Sequence, residues 1–129
     1  MINQKSKNKT EKRLFGDRGE NIACGYLVNH GYKIIKRNFS CKFGEIDIIA
    51  RQNNTFVFVE VKTRKNTFFG EPQEFVDFRK LERINIAIDC FLSKYKIEDE
   101  YNLRIDVIEI IFDECNNRFT INHIEDFDN

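Results

Sequence analysis

The sequence lacks several features that would assign it to a familiar class of protein. It has no Trp, one Pro and two His among 129 residues, and no apolar run approaches the roughly 20 residues of a membrane helix. The four cysteines are scattered without a C-x-x-C pair, which disfavours a zinc centre and favours reduced thiols. It also lacks a glycine-rich phosphate loop, a G-x-S-x-G elbow and an H-E-x-x-H motif. With no apolar signal core either, we expect a cytoplasmic protein without a membrane span.

The composition is that of a globular protein. Hydrophobic residues make up 41% of the chain, which is enough for one domain with its own core. Residues 1–13 are polar and Lys-rich without an apolar period, so we expect a disordered basic tail. Residues 14–125 then form a single domain, and residues 126–129 form a C-terminal tail.

Charge is distributed unevenly along the chain, although the net charge is zero. Residues 1–80 contain 16 Lys and Arg against 9 Asp and Glu, whereas residues 81–129 contain 5 against 12. This asymmetry predicts a basic working side and an acidic remainder. The alternative is that folding interleaves the two halves, so that most of these charges neutralise one another.

Hydrophobic periodicity predicts two helices and five strands in the order α-β-β-β-α-β-β. The expected helices are residues 14–30 and 73–95, and the expected strands are residues 32–37, 44–52, 55–63, 103–112 and 118–124. Gly19 lies on the apolar stripe of the first helix, which indicates close approach to another element. The pattern predicts an α/β domain of three layers, with a central mixed sheet flanked by helices.

Glu60-Val61-Lys62 closes the apolar run of the third predicted strand and is the most informative motif. Glu60 and Lys62 point to one face, since alternate residues of a strand share a face. With Asn53-Asn54 as the hairpin turn, Asp47 falls directly opposite Glu60. Glu45 likewise falls opposite Lys62. Two carboxylates and an ammonium then converge on one patch of sheet.

This constellation has the chemistry of a metal-dependent phosphodiesterase. Mg²⁺ or Mn²⁺ prefers hard oxygen ligands, which Asp47, Glu60 and the backbone carbonyl of Val61 supply. Lys62 would activate the attacking water or stabilise charge in the transition state. Glu20, at the border of the buried stripe of the first helix, could complete the site. The alternative is a cross-strand ion cluster of structural value only, but two facing carboxylates repel, which disfavours it.

Other charged residues take supporting parts in this hypothesis. Glu45 would orient Lys62 or serve as an extra acid. Arg104 and Asp106 share one strand face and are most simply an internal ion pair, with a supporting role near the site as the minor alternative. A basic set near the hairpin would hold the phosphate backbone of a nucleic acid. Its members are Arg64, Lys65, Arg79, Lys80 and Arg83.

These residues resemble a known family. Asp47 followed by Glu60-x-Lys62 resembles the D…(D/E)-x-K motif of the restriction-endonuclease-like nuclease superfamily, and the chain more closely resembles the YraN family of uncharacterised prokaryotic proteins. The matching stretches are Gly16-x-x-Gly19-Glu20-x-x-Ala23, Gly31-Tyr32, Arg37-Asn38, Gly44-Glu45-Ile46-Asp47, Phe58-Val59-Glu60-Val61-Lys62-Thr63-Arg64, Phe69-Gly70, Lys80, Arg83 and Arg104-x-Asp106-Val107.

The resemblance implies a restriction-endonuclease-like core related to archaeal Holliday-junction resolvases, in which a helix glutamate, here Glu20, joins the motif. We therefore expect a Mg²⁺- or Mn²⁺-dependent nuclease acting on branched or structured DNA. Resolving a junction takes two symmetric cuts, so this function predicts a homodimer. The alternatives are a non-catalytic nucleic-acid-binding accessory factor for DNA repair, recombination or uptake, and a structural protein whose acids form only ion pairs.

Overall fold

The structure is a computed structural model that describes residues 4–65, 76–98 and 100–127, with side chains from Lys9 onward. Two helices and five strands make up this part of the chain. In chain order they are α1 (Gln4–Asn29), β1 (Lys33–Cys41), β2 (Gly44–Gln52), β3 (Thr55–Lys65), α2 (Phe78–Lys94), β4 (Asn102–Asp113) and β5 (Arg118–Ile124). The predicted order of elements is confirmed.

Helix α1 begins at Gln4, so residues 4–13, which were expected to be disordered, form its first turns. This segment carries no apolar stripe, and periodicity therefore does not predict a helix there. Lys, Gln and Glu are nevertheless good helix formers, and they extend a helix that is nucleated by its packed second half. At the other end, Gly31 takes a φ of 86° and directs the chain into β1.

Helix α2 begins at Phe78 and has Asp77 as its N-cap. The Asp77 carboxylate accepts the backbone N–H of Lys80 at 2.8 Å, which satisfies a donor that the first turn otherwise leaves unpaired. The predicted start at Gln73 lies outside the described residues. The cap fixes the backbone of Lys80, whose side chain reaches the candidate site.

The sheet is mixed, as predicted, and its strands lie in the order β1-β2-β3-β4-β5. Strands β3 and β4 run parallel, and the other neighbouring pairs run antiparallel. Helix α2 forms the crossover that two parallel neighbours require. The bounds of β2 and β5 are as predicted, whereas β1, β3 and β4 are longer than predicted.

Each helix covers one face of the sheet, which gives three layers. The core under α1 contains Ala23, Leu27, Ile48, Val57, Val59, Ile108 and Ile110. The core under α2 contains Ile46, Ile49, Phe58, Ile84, Ala87 and Phe91. At the C-terminal end, Phe127 packs against the α2 side, and its N–H donates to the Ile105 carbonyl at 2.7 Å. Thus the chain docks on β4 beyond residue 125, where a tail was expected.

The described helices do not include a membrane span. Neither α1 nor α2 combines the length and the apolar character that crossing a bilayer requires.

Candidate metal centre

The candidate site lies where β2 and β3 separate. The predicted hairpin register is confirmed from Gln52↔Thr55 to Ile48↔Val59. In its turn, Asn53 takes a positive φ of 53°, as expected of Asn. Beyond Ile48↔Val59 these two described strands form no further ladder pair.

The two pairs predicted beyond that point, Asp47 with Glu60 and Glu45 with Lys62, are therefore wrong as ladder pairs. Carboxylates held directly opposite each other repel, and a continued ladder would have forced that arrangement. On its other side β2 keeps its partner, since Glu45 pairs with Ser40 of β1. The strands thus separate at the acidic residues themselves.

Asp47 occupies the point at which β2 leaves β3. Its Oδ2 accepts the backbone N–H of Val61 at 2.8 Å, in place of the carbonyl of a continued ladder. Ile46 packs on the α2 side and Ile48 on the α1 side, although alternate residues of a regular strand share a face. The strand therefore rotates at Asp47, and the Asp47 carboxylate lies in the gap between the strands.

Glu60 has a buried carboxylate, and one of its two oxygens has no hydrogen-bond partner among the described residues. Its side chain is 6% exposed, and its Oε1 lies 3.5 Å from Lys80 Nζ. Its Oε2 is buried and has no hydrogen-bond partner among the described residues. Burial, and then the charge of Asp47, raise the pKa of Glu60 to about 8. Such a carboxylate attracts a proton or a metal cation to its free oxygen.

A cavity of about 450 Å³ opens on the α1 side of this gap. Its lining brings together three of the predicted catalytic residues, Glu20, Asp47 and Lys62, together with Val61. The fourth, Glu60, faces Lys80 and interacts with Asp47. The positive charge of Lys62 favours the ionised form of Glu60, although less than Lys80 does.

Helix α1 lies close to this gap because Gly19 has no side chain. A Cβ built on Gly19 would overlap the Thr63 hydroxyl of β3, so the predicted close approach at Gly19 is confirmed. The contact puts the next residue, Glu20, at the cavity. Two further residues of α1 that line the cavity, Lys12 and Arg13, were not predicted as site residues, because they fall in the expected tail.

Glu20 is held by Arg37 of β1, a residue that the sequence motifs include but to which they assign no role. Arg37 Nε donates to Glu20 Oε1 at 3.1 Å, and Arg37 Nη2 donates to Asn21 Oδ1 at 2.7 Å. Burial raises the pKa of Glu20, although the Arg37 hydrogen bond and charge oppose that shift. Arg37 thus orients Glu20 and offsets its charge.

The donor set for a metal is consequently small. Within residues 9–65, 76–98 and 100–127, no three acidic, His or Cys side chains converge closely enough to bind one ion together. Asp47 and the free oxygen of Glu60 are the two carboxyl donors at the gap. Hard divalent cations that retain several waters are suited to so few protein ligands.

Lys80 lies within the site, whereas the sequence predicted it among the residues that grip phosphates. Its ammonium lies 2.6 Å from Glu45 Oε1 and 3.5 Å from Glu60 Oε1. Glu45 also pairs with Arg83 at 3.5 Å, so its predicted partner, Lys62, is replaced by two cations of α2. The Lys80 hydrogen bond lowers the pKa of Glu45, more than burial raises it.

The other predicted phosphate-binding residues differ in their surroundings. Arg64 is largely buried and pairs with Glu109 at 3.1 Å. Lys65 is exposed and pairs with the equally exposed Glu114 at 3.2 Å. Arg79 is exposed on the first turn of α2. The Phe69-Gly70 stretch between these groups lies outside the described residues.

Arg104 and Asp106 form an internal ion pair, as the simpler hypothesis held. Asp106 is fully buried and accepts two hydrogen bonds from Arg104, at 2.8 and 2.9 Å. His123 lies 2.7 Å from the same carboxylate, and the N–H of Asp126 donates to it at 3.0 Å. Neither Arg104 nor Asp106 lines the cavity, so the pair ties β4 to β5 rather than serving the site.

The fold and the gap together define a three-layer α/β protein in which the buried carboxylate of Glu60 lies beside the half-buried Asp47, with two lysines nearby. The chain belongs to a family described as Uncharacterised protein family UPF0102, whose model matches residues 19–110. This confirms the expected membership of a YraN-type uncharacterised family. The match includes Glu20, Asp47, Glu60, Lys62 and Lys80.

Relatives of similar length support this membership. A UPF0102 protein of Caldicellulosiruptor bescii is 48% identical over 108 residues, which cover 84% of this chain and 91% of that protein. A UPF0102 protein of Clostridium botulinum strain 657 is 44% identical over 110 residues, which cover 85% of this chain and 89% of that protein.

Proposed function

We propose that the protein is a divalent-metal-dependent nuclease that hydrolyses phosphodiester bonds in DNA, branched or structured DNA above all. One observation carries the proposal: the buried carboxylate of Glu60, with an unpartnered oxygen, interacts with Asp47 where two strands separate. Desolvation of Glu60 and repulsion from Asp47 both oppose two ionised acids at this gap, so the pair needs either a shared proton or a bound cation. A bound cation would offset both the repulsion between the two carboxylates and their loss of hydration.

The donors present at the gap are suited to Mg²⁺ or Mn²⁺. Asp47 and Glu60 would hold the ion through carboxylate oxygens, and the Val61 carbonyl is a further candidate ligand. When bound, such an ion supplies charge for the scissile phosphate and lowers the pKa of a coordinated water. Glu20 would act through water, because Arg37 already occupies one of its oxygens.

Lys62 is the residue that we assign to the chemistry itself. It lines the same cavity as Asp47, and its charge favours the ionised form of Glu60. An ammonium in this place can position the attacking water and stabilise negative charge on the phosphorane oxygens. Lys80, already shared between two acids, is not available for that role.

DNA would approach from the side of the cavity. Lys12 and Arg13 of α1 line it. Such cations bind the phosphate backbone without reading its sequence. In this proposal the fold belongs to the restriction-endonuclease-like superfamily, related to Holliday-junction resolvases, and two copies act together to place symmetric cuts.

The second candidate function is a nucleic-acid-binding accessory factor without catalysis. It is favoured by the engagement of Glu20 with Arg37, and by the lack of a three-ligand cluster among the described side chains. Such a protein would keep the basic residues at the cavity and use the acids for ion pairing. Its binding would weaken steeply with salt, by a log–log slope near −0.9 for each duplex phosphate contacted.

Cleavage of labelled four-way-junction, flap, single-stranded and duplex DNA with Mg²⁺ or Mn²⁺ tests the proposal. We expect metal-dependent cleavage, reduced at least about a hundredfold by Asp47→Asn and by Lys62→Met. Asp89→Asn and Lys94→Met, the same changes at exposed positions of α2, serve as matched controls and should retain activity. Cleavage without metal, or undiminished in both site variants, would refute the proposal. Salt-sensitive binding without any cleavage would establish the accessory factor instead.

A further inference from the structure

Lys80 forms a bridge between two carboxylates from neighbouring strands. Its Nζ lies 2.6 Å from Glu45 Oε1 of β2 and 3.5 Å from Glu60 Oε1 of β3. The Lys80 side chain is 21% exposed and that of Glu60 is 6% exposed, whereas Glu45, at the outer end of the bridge, is 42% exposed. One ammonium thus spans the strands close to the point where their ladder has ended.

The two carboxylate oxygens of Glu60 have different surroundings. Oε1 faces the Lys80 ammonium, whereas Oε2 is buried and unpartnered among the described residues. Asp47, the other acid at the gap, interacts with Glu60 and accepts the Val61 N–H. A cation at the gap would therefore meet Asp47 and Oε2, while Oε1 faces the Lys80 ammonium.

The lysine is held there by its backbone as well as by its charge. The N-cap Asp77 accepts the Lys80 N–H at 2.8 Å, which fixes the first turn of α2 above the gap. At its other end, the Lys80 ammonium is held by its contacts with the carboxylates of Glu45 and Glu60.

Hydrolytic sites with two metal ions hold them roughly 3.5–4 Å apart, with carboxylates shared between them. In this chain Glu60 Oε1 faces an ammonium supplied by α2, and its other oxygen would be left for a metal ion. We propose that Lys80 fills the position of the second cation, so that the site takes a single divalent ion, bound by Asp47 and Glu60 Oε2. This inference rests on the proposed metal centre and specifies its stoichiometry.

Counting bound Mn²⁺ by the EPR signal of the free ion tests this inference. The wild-type chain should bind one Mn²⁺ per chain at the gap, and Asp47→Asn should abolish that binding. Lys80→Met removes the ammonium at similar volume and leaves Glu45 and Glu60 facing an empty position. We expect this variant to bind two Mn²⁺, whereas Lys80→Arg, which keeps the charge, should bind one.

Two further variants complete the test. Lys94→Met, which removes a lysine from the last turn of the same helix, should bind one ion like the wild type. Adding Glu45→Gln to Lys80→Met should remove the second ion again. Thermal unfolding checks that each variant is folded, and Lys80→Gln replaces Lys80→Met if methionine is not tolerated.

The outcomes separate the two proposals. One ion in the wild type and one in the folded Lys80→Met variant would overturn the role of Lys80 and leave the metal centre standing. Two ions in the wild type would also overturn it. If the wild type binds no ion at the gap, the metal centre of the proposed function fails, and this inference fails with it.

Discussion

The pKa of Glu60 is set by opposing effects of burial and of the neighbouring charges. Burial and the charge of Asp47 both favour its neutral form, while Lys80 and Lys62 favour the ionised form. The pKa rises from its ordinary 4.5 to about 8, so burial and repulsion prevail. Between these two pH values the folded chain holds a proton on Glu60 that the unfolded chain has lost. The metal-free protein is therefore destabilised by Glu60 as the pH rises through this window.

Glu60→Gln removes this pH dependence while keeping the size of the side chain. In metal-free buffer, we expect the variant to gain free energy of unfolding relative to the wild type as the pH rises from about 5 to about 8. Urea unfolding at several pH values, with a chelator present, measures this difference. Parallel pH profiles for the two proteins would contradict the raised pKa of Glu60.

Asp106 is also a buried acid, but its pKa shifts in the direction opposite to that of Glu60. Burial raises the pKa of this carboxyl, but hydrogen bonds from His123, Arg104 and the Asp126 backbone together outweigh burial, so the pKa is lowered. The contrast with Glu60 is physical. Asp106 has donors around it, whereas Glu60 has another acid and a free oxygen. We regard the first as structural and the second as functional.

Asp106→Asn should cost about 3 kcal/mol of unfolding free energy, because the largely buried Arg104 then keeps only the exposed Glu125, 4.0 Å away, as a carboxylate partner. The exposed change Asp89→Asn on α2 provides the control and should alter stability by less than about 0.5 kcal/mol. Thermal or urea unfolding of both variants checks this. Similar losses at the two positions would contradict the role assigned to Asp106.

At the scale of elements, the approach of α1 to β3 decides whether Glu20 reaches the cavity. Gly19→Ala should destabilise the fold by about 1–3 kcal/mol, because the new Cβ overlaps the Thr63 side chain and forces the helix outward. Gly25→Ala lies on the same helix with no atom near its added Cβ, and should stabilise the protein by up to about 1 kcal/mol. A stabilising Gly19→Ala, measured by thermal unfolding, would contradict this contact.

The sequence predicts most elements because their local signals agree with the fold. Apolar residues at strand spacing indicate β2 and β5, and Asn residues with positive φ mark the turn after β2, at Asn53, and the turn before β5, at Asn117. The first turns of α1 were missed because they bury no apolar stripe. The start of α2 depends on the Asp77 cap, a single-residue signal that periodicity does not contain.

Strand periodicity predicts which residues of the site belong together, but it does not predict their geometry. Residues two apart on β3, and acids at matching positions of one hairpin, indicate Asp47, Glu60 and Lys62 as a group. Their true geometry depends on the rotation of β2 at Asp47, which only packing on both faces reveals. The partners Lys80 and Arg37 come from distant elements, and no local pattern indicates which acids they meet.

At the scale of the whole molecule, folding interleaves the basic and acidic halves of the chain in part. Arg64 pairs with Glu109, and Lys65 pairs with Glu114, because β3 lies parallel beside β4. The exposed pair adds little stability. Lys12 and Arg13, by contrast, lie at the cavity, where a polyanion would meet them. The cavity lining holds three acids as well as three cations, so the predicted basic side is not found there as a separate surface.

The proposed function requires that Asp47 and Glu60 together hold a divalent ion. The most direct measurement is the anomalous diffraction of Mn²⁺ in crystals of the protein grown or soaked in that ion. We expect one peak at the gap, about 2.1 Å from a carboxylate oxygen of each residue. Mn²⁺ bound elsewhere in the same crystals, with Asp47 and Glu60 still in contact and no peak between them, would contradict the claim.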